Sequence, residues 1–83
     1  MAEIKFANLT KEEMERVHAM LGAEVFVVDV KTSSRKKRVF CVPIDGDWVT
    51  IYGGGGEEDL PDEIIEEIID WLENELSKEK GVH

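Results

Sequence analysis

A chain of 83 residues, 42% hydrophobic and 35% charged, is long enough for one globular core and too short for two. Its net charge of −9 is the opposite of the balance usual in a free-standing nucleic-acid binder, and no apolar run is long enough to cross a bilayer. The start MAEIKFANLT has no basic segment leading into an apolar one, and the single Cys41 allows no internal disulfide, so a cytoplasmic setting is expected.

The charge is unevenly placed. Residues 1–30 carry three cations and six anions, residues 31–56 five and two, and residues 57–83 two and eleven. A basic middle thus lies between two acidic ends, which suits a basic protein partner or simply solubility.

Residues 1–8 contain Ile4 and Phe6 at strand spacing and read as an N-terminal arm or a short edge strand. Thr10 and Glu13 have the spacing of a capping box, and Leu9 with Met14 that of a hydrophobic staple. The first helix is therefore placed at 11–21. Met14, Val17, His18 and Leu21 form its apolar face, and Gly22 ends it.

Ala23–Thr32 and Arg38–Ile44 follow with Val, Ile and Phe at strand density. Asp45-Gly46 is a two-residue hairpin signal that sets Ile44 opposite Asp47, Val42 opposite Val49 and Phe40 opposite Ile51. In this reading Phe40, Val42, Ile44, Val49 and Ile51 share a face with Phe26, Val28 and Val30, and that face meets the helices. The other face carries Val39, Cys41, Trp48 and Tyr52, with Val25 and Val27. Gly53–Gly56 reads as a hinge, because it lacks the Lys-Ser/Thr end of a phosphate loop and Glu57, Glu58 and Asp59 follow it.

The last element is LPDEIIEEIIDWLENEL, residues 60–76. At helical spacing Leu60, Ile64, Ile65, Ile68, Ile69, Trp71, Leu72 and Leu76 take one half of a cylinder, and Pro61 suits the first turn. Asp62, Glu63, Glu66, Glu67, Asp70 and Glu73 take the other half. No Lys or Arg occurs from Glu57 to Ser77, so like charges meet at 62/66, 63/67 and 66/70, each pair costing ~0.2–0.5 kcal/mol. Residues 78–83 read as a flexible tail.

The expected fold is α+β, a small single domain of residues 1–83 in the order αβββα: a three-stranded antiparallel meander with both helices on one face. This order is similar to that of double-stranded RNA-binding domains, and topology, size and acidity resemble some small phage-encoded inhibitors of CRISPR nucleases. The first resemblance implies RNA binding through the basic turn and the start of the second helix. Here the second helix begins GEEDLPDEIIEE, the reverse of the basic stretch that family carries. The second resemblance implies a protein that blocks a nucleic-acid-binding surface.

Three groups are candidate sites. The acidic ridge of Asp62, Glu63, Glu66, Glu67, Asp70 and Glu73 would present carboxylates to Arg and Lys of a partner. The plainer reading is a solvated face, with the first-turn acids complementing the helix dipole. The basic turn of Lys31, Arg35, Lys36, Lys37 and Arg38 would pair with that ridge, contact an acidic partner, touch nucleic acid, or only blunt a sheet edge. Val39, Trp48 and Tyr52 would form a secondary, self-complementary interface, unless the N-terminal residues cover it.

No Ser/His/Asp set, zinc spacing, calcium loop or dinucleotide fingerprint is visible, and His18 reads as a core or half-buried histidine. No enzyme, cofactor or metal site is expected. The preferred expectation is a non-catalytic acidic module that binds a basic protein, in its sharper form an inhibitor or nucleic-acid mimic facing a nucleic-acid-binding protein. A homodimer through Trp48 and Tyr52 is the alternative, and RNA binding the third.

Overall fold

A computed structural model describes residues 2–33, 35–52 and 60–80, with the side chains of 79 and 80 left aside. The order is β1 (Glu3–Phe6), α1 (Lys11–Leu21), β2 (Phe26–Lys31), β3 (Lys36–Ile44), β4 (Asp47–Tyr52) and α2 (Asp62–Lys80). All pairings are antiparallel, and the sheet order is β1-β2-β3-β4. The protein is thus a small α+β domain. The expected meander is β2-β3-β4, and the N-terminal segment adds a fourth strand beside β2.

The local signals act as their chemistry dictates. Glu13 N–H donates to Thr10 Oγ1 at 3.1 Å, and Thr10 N–H donates to Glu13 Oε1 at 2.9 Å, closing the capping box. The bond from the Thr10 N–H also holds the exposed Glu13 carboxyl below its usual range. Gly22, at φ 98°, ends α1 with its N–H on the His18 carbonyl at 2.9 Å. Asp45 and Gly46 both have positive φ, 53° and 84°, as a type I′ hairpin requires. The β3–β4 register is therefore the expected one, Ile44 to Asp47 and Phe40 to Ile51.

The facing of β2 against β3 differs from expectation. Phe26 lies opposite Cys41, Val28 opposite Val39 and Lys31 opposite Lys36. A shift of one turns a strand's side chains over. Phe26, Val28 and Val30 therefore share a face with Val39, Cys41, Trp48 and Tyr52, joined by Ile4 and Phe6. The sequence between the two strands has no Asn-Gly or Asp-Gly to fix the pairing. It is closed instead by the Thr32 N–H on the Arg35 carbonyl at 2.9 Å.

This face holds the core. Val28, Val30, Val39, Cys41, Leu60, Ile68 and Leu72 form one buried cluster, with Ile64, Ile65, Trp71 and Leu76 packed around it. The wide apolar half of α2 covers it, as its amphipathic spacing predicts. Rings line the same face: Phe6 lies 4.8 Å from Trp71 and 6.5 Å from Phe26, and Phe26 lies 5.8 Å from Trp48.

The two helices do not share a face. Leu9, Glu13, Arg16 and Val17 border a cavity of about 220 Å³ with Arg38 and Phe40, whose side chains are opposite to Val39 and Cys41. So α1 lies on the reverse of the sheet, and none of its residues is fully buried. The expectation of both helices on one face rests on Phe26, Val28 and Val30 sharing a side with Phe40 and Val42, which the pairing does not allow. Phe40 and Val42 are half-buried, and Ile44, Val49 and Ile51 remain 40–48% exposed.

Two smaller differences follow. α2 runs to Lys80, through the first three residues read as tail, and Lys78 Nζ bonds Glu75 Oε2 at 3.0 Å. Pro61 stands just before the helix, its carbonyl accepting from Ile64 and Ile65 N–H. The four-glycine hinge, the acids at 57–59 and residues 81–83 lie outside the described residues.

Candidate functional site

Burial of one half of α2 fixes where the other half points. With Ile68 and Leu72 fully buried, helical geometry turns Asp62, Glu63, Glu66, Glu67, Asp70 and Glu73 outward, and all six are exposed. Among the described residues no cation lies within ion-pair distance of any of them. Among the described residues Glu73 alone of the six has a side-chain partner: its Oε2 accepts from Trp48 Nε1 at 3.3 Å. That bond ties the rim of the ridge to the sheet beneath, and the others face solvent.

The basic turn is not the counterpart of this ridge. Arg38 makes a two-pronged bond to Asp29, Nε to Oδ1 at 2.8 Å and Nη2 to Oδ2 at 3.2 Å, on the reverse face. Both side chains are partly exposed, 41% and 30%, so the pair adds only ~0–1 kcal/mol. Lys37 points to the helix side, its Nζ 5.7 Å above the Tyr52 ring. Lys31 and Lys36 stand opposite each other at the hairpin end, and the Arg35 carbonyl accepts from Thr32.

The secondary interface is occupied from within. Val39 is fully buried, and Trp48 and Tyr52 pack against the core beneath α2. The chain's own helix, rather than a second molecule or the N-terminal residues alone, covers the face. His18 is exposed rather than half-buried, because α1 uses only a narrow apolar strip of Met14, Val17 and Leu21.

Cys41 is fully buried, and burial pushes its thiol up to about 11. A thiol reagent at pH 8 is therefore expected to leave the folded protein untouched and to label it once denatured, which a mass-shift assay reads directly. The sign of the pH effect is fixed. From about pH 9 the unfolded chain gives up the thiol proton while the folded chain keeps it up to about 11. This group's contribution to stability is thus full below pH 9 and falls as pH rises.

Sequence reasoning passed over Lys5 and Asp29. They became visible only when β1 paired with β2, which puts Lys5 opposite Asp29, and Asp29 opposite Arg38, in one row across the outer face. The alternation Glu3, Ile4, Lys5, Phe6 carried that signal. No cluster of three His, Cys, Asp or Glu among the described residues could hold a metal ion, and no helix there is long and apolar enough to cross a membrane.

No protein-family model, curated protein or solved structure matches this chain.

Proposed function

We propose that this domain is a non-catalytic protein-binding module that offers the outer side of α2 to a basic surface, in its sharper form a surface that otherwise holds nucleic acid. The observation that carries the reading is the set of six exposed carboxylates on one helix with no cation among the described residues to neutralise them. Repulsion within the set costs stability, and contact with Lys and Arg of another protein would return it. First-turn acids also complement the helix dipole, which accounts for Asp62 and Glu63 but not for Asp70 and Glu73 further along.

The reading yields a trade-off that a solvated face does not. Glu66 stands four residues from both Asp62 and Asp70. Glu66→Lys turns two repulsions into two attractions, so the folded state should gain about 0.8–2 kcal/mol in denaturant melts. Partner binding should meanwhile weaken.

The decisive comparison is retention of basic proteins by immobilised native protein and by the Glu66→Lys/Asp70→Lys variant. Glu73 is left in place because it holds Trp48. The reading expects a loss of about a hundredfold in affinity and a native interaction that falls away as salt rises. Equal affinity of both proteins, or binding indifferent to salt, would discard it.

A further inference from the structure

The strongest charge anomaly outside α2 is on the reverse face of the sheet. An open groove of about 970 Å³ crosses the ends of β1, β2 and β3 and stops at Phe40, beside α1. Its floor is two rows across the strands: Glu3, Lys31 and Lys36 in one, Lys5, Asp29 and Arg38 in the next. In these two rows cations outnumber acids four to two, in a chain where acids outnumber cations nineteen to ten. Asp29 is engaged by Arg38, and no anion among the described residues lies within ion-pair distance of Lys5, Lys31 or Lys36. Lys31 and Lys36 face each other directly, a like-charge pairing that weakens a sheet unless something neutralises it.

We infer that this groove receives the acidic side of α2 from a second copy of the chain, so that the protein associates head to tail through opposite charges. The inference rests on reading the ridge as a ligand for cations and names its partner. The two surfaces cannot meet within one molecule, because α2 covers one face of the sheet and the groove opens on the other. Between molecules they are complementary in charge and in spacing. Carboxylates four residues apart on a helix repeat every ~6 Å. Lys36 and Arg38, two residues apart on a strand, repeat every ~6.7 Å, and Lys31 and Lys36, opposite each other on neighbouring strands, stand ~4.8 Å apart.

A helix laid along β3 can therefore place Glu66 and Asp70 over successive cations. A polyanion such as RNA is the competing occupant; the second copy is favoured because it carries its own exposed carboxylates, Glu66 and Asp70, at matching spacing. Each molecule has both halves of the contact on opposite sides, so the association is heterologous and continues past a dimer unless it closes into a ring.

Light-scattering mass across a wide concentration range tests it. At about 0.1 M salt the mass should climb beyond twice the 9.4 kDa monomer, and near 1 M it should return to one chain. Lys31→Glu/Lys36→Glu and Glu66→Lys/Asp70→Lys should each remain monomeric, and an equimolar mixture of the two should associate again. Lys31→Gln/Lys36→Gln, checked for a melting temperature no lower than that of the native protein, gives the same loss without a new repulsion. A single species of one chain at every concentration overturns the inference, as does association that persists in the glutamine variant. Duplex RNA shifted by the native protein and not by the glutamine variant also overturns it, in favour of nucleic acid. The broader reading is separable: a nona-arginine peptide bound by native and glutamine-variant protein, and lost in the α2 variant, would leave it standing while self-association falls.

Discussion

Leu72→Ala is expected to remove about 3–4 kcal/mol of stability. Leu72 is fully buried beneath α2, in one cluster with Ile68, Val28, Val39 and Cys41. Truncating it loses the transfer energy of its methyl groups and leaves a cavity that strands on one side and a helix on the other cannot both close. A domain of this length holds on the order of 5–10 kcal/mol in total, so the loss is a third or more of the whole. The melting temperature should drop by roughly 15–25 °C. Leu72→Met, which keeps volume, should cost less than about 1.5 kcal/mol. Urea titration of the two variants beside Leu76→Ala, a half-buried position, would check both the magnitude and the order.

Trp71→Ala is expected to cost less globally, about 2–3 kcal/mol because the ring is only half-buried, but to act unevenly. β1 has four residues and is hydrogen-bonded on one side only, to β2. Its other anchor to the core is Phe6 against Trp71 at 4.8 Å and Phe26 at 6.5 Å. Without the indole the strand keeps its ladder and loses much of its apolar grip. Hydrogen exchange should show the β1 amides opening well before those of β3, whereas the native protein protects both together more nearly. Trp71→Phe should restore most of the difference. Uniform loss of protection across the sheet would mean that β1 is held by its backbone alone.

Features fixed by neighbours in sequence were legible. Thr10 and Glu13 cap α1 where their spacing says, Gly22 ends it, and Asp45-Gly46 sets the β3–β4 register. Each is decided within about four residues by hydrogen bonding or by the φ range a residue tolerates. The helical half-cylinder of α2 was equally plain, because eight apolar side chains at that spacing have one way to be buried.

What failed was information held at a distance. The segment from Thr32 to Arg35 carries no residue that dictates a turn, so whether β2 turns Phe26 to the side of Phe40 or to that of Cys41 is settled by the core as a whole. Val39, Cys41, Trp48 and Tyr52 offer the continuous surface that α2 needs, while Arg38 and Asp29 belong in water. The side on which α1 packs and the covering of Trp48 and Tyr52 both follow from that one choice, so neither is fixed by local sequence. The acidic ridge stayed legible, since it depends only on which half of α2 is apolar. The groove of Lys5, Lys31 and Lys36 did not, since its members come from three strands.

The pairing of Lys31 with Lys36 leaves four residues between the last paired positions of β2 and β3. Opposed residues of a ladder share a face whatever the length of the bend, so the burial of Val39 and Cys41 holds the register and the connection only has to span it. Natural variants and grafted inserts at this bend should therefore be tolerated at odd and even lengths alike, each doubling of the connection costing only about 0.6 kcal/mol.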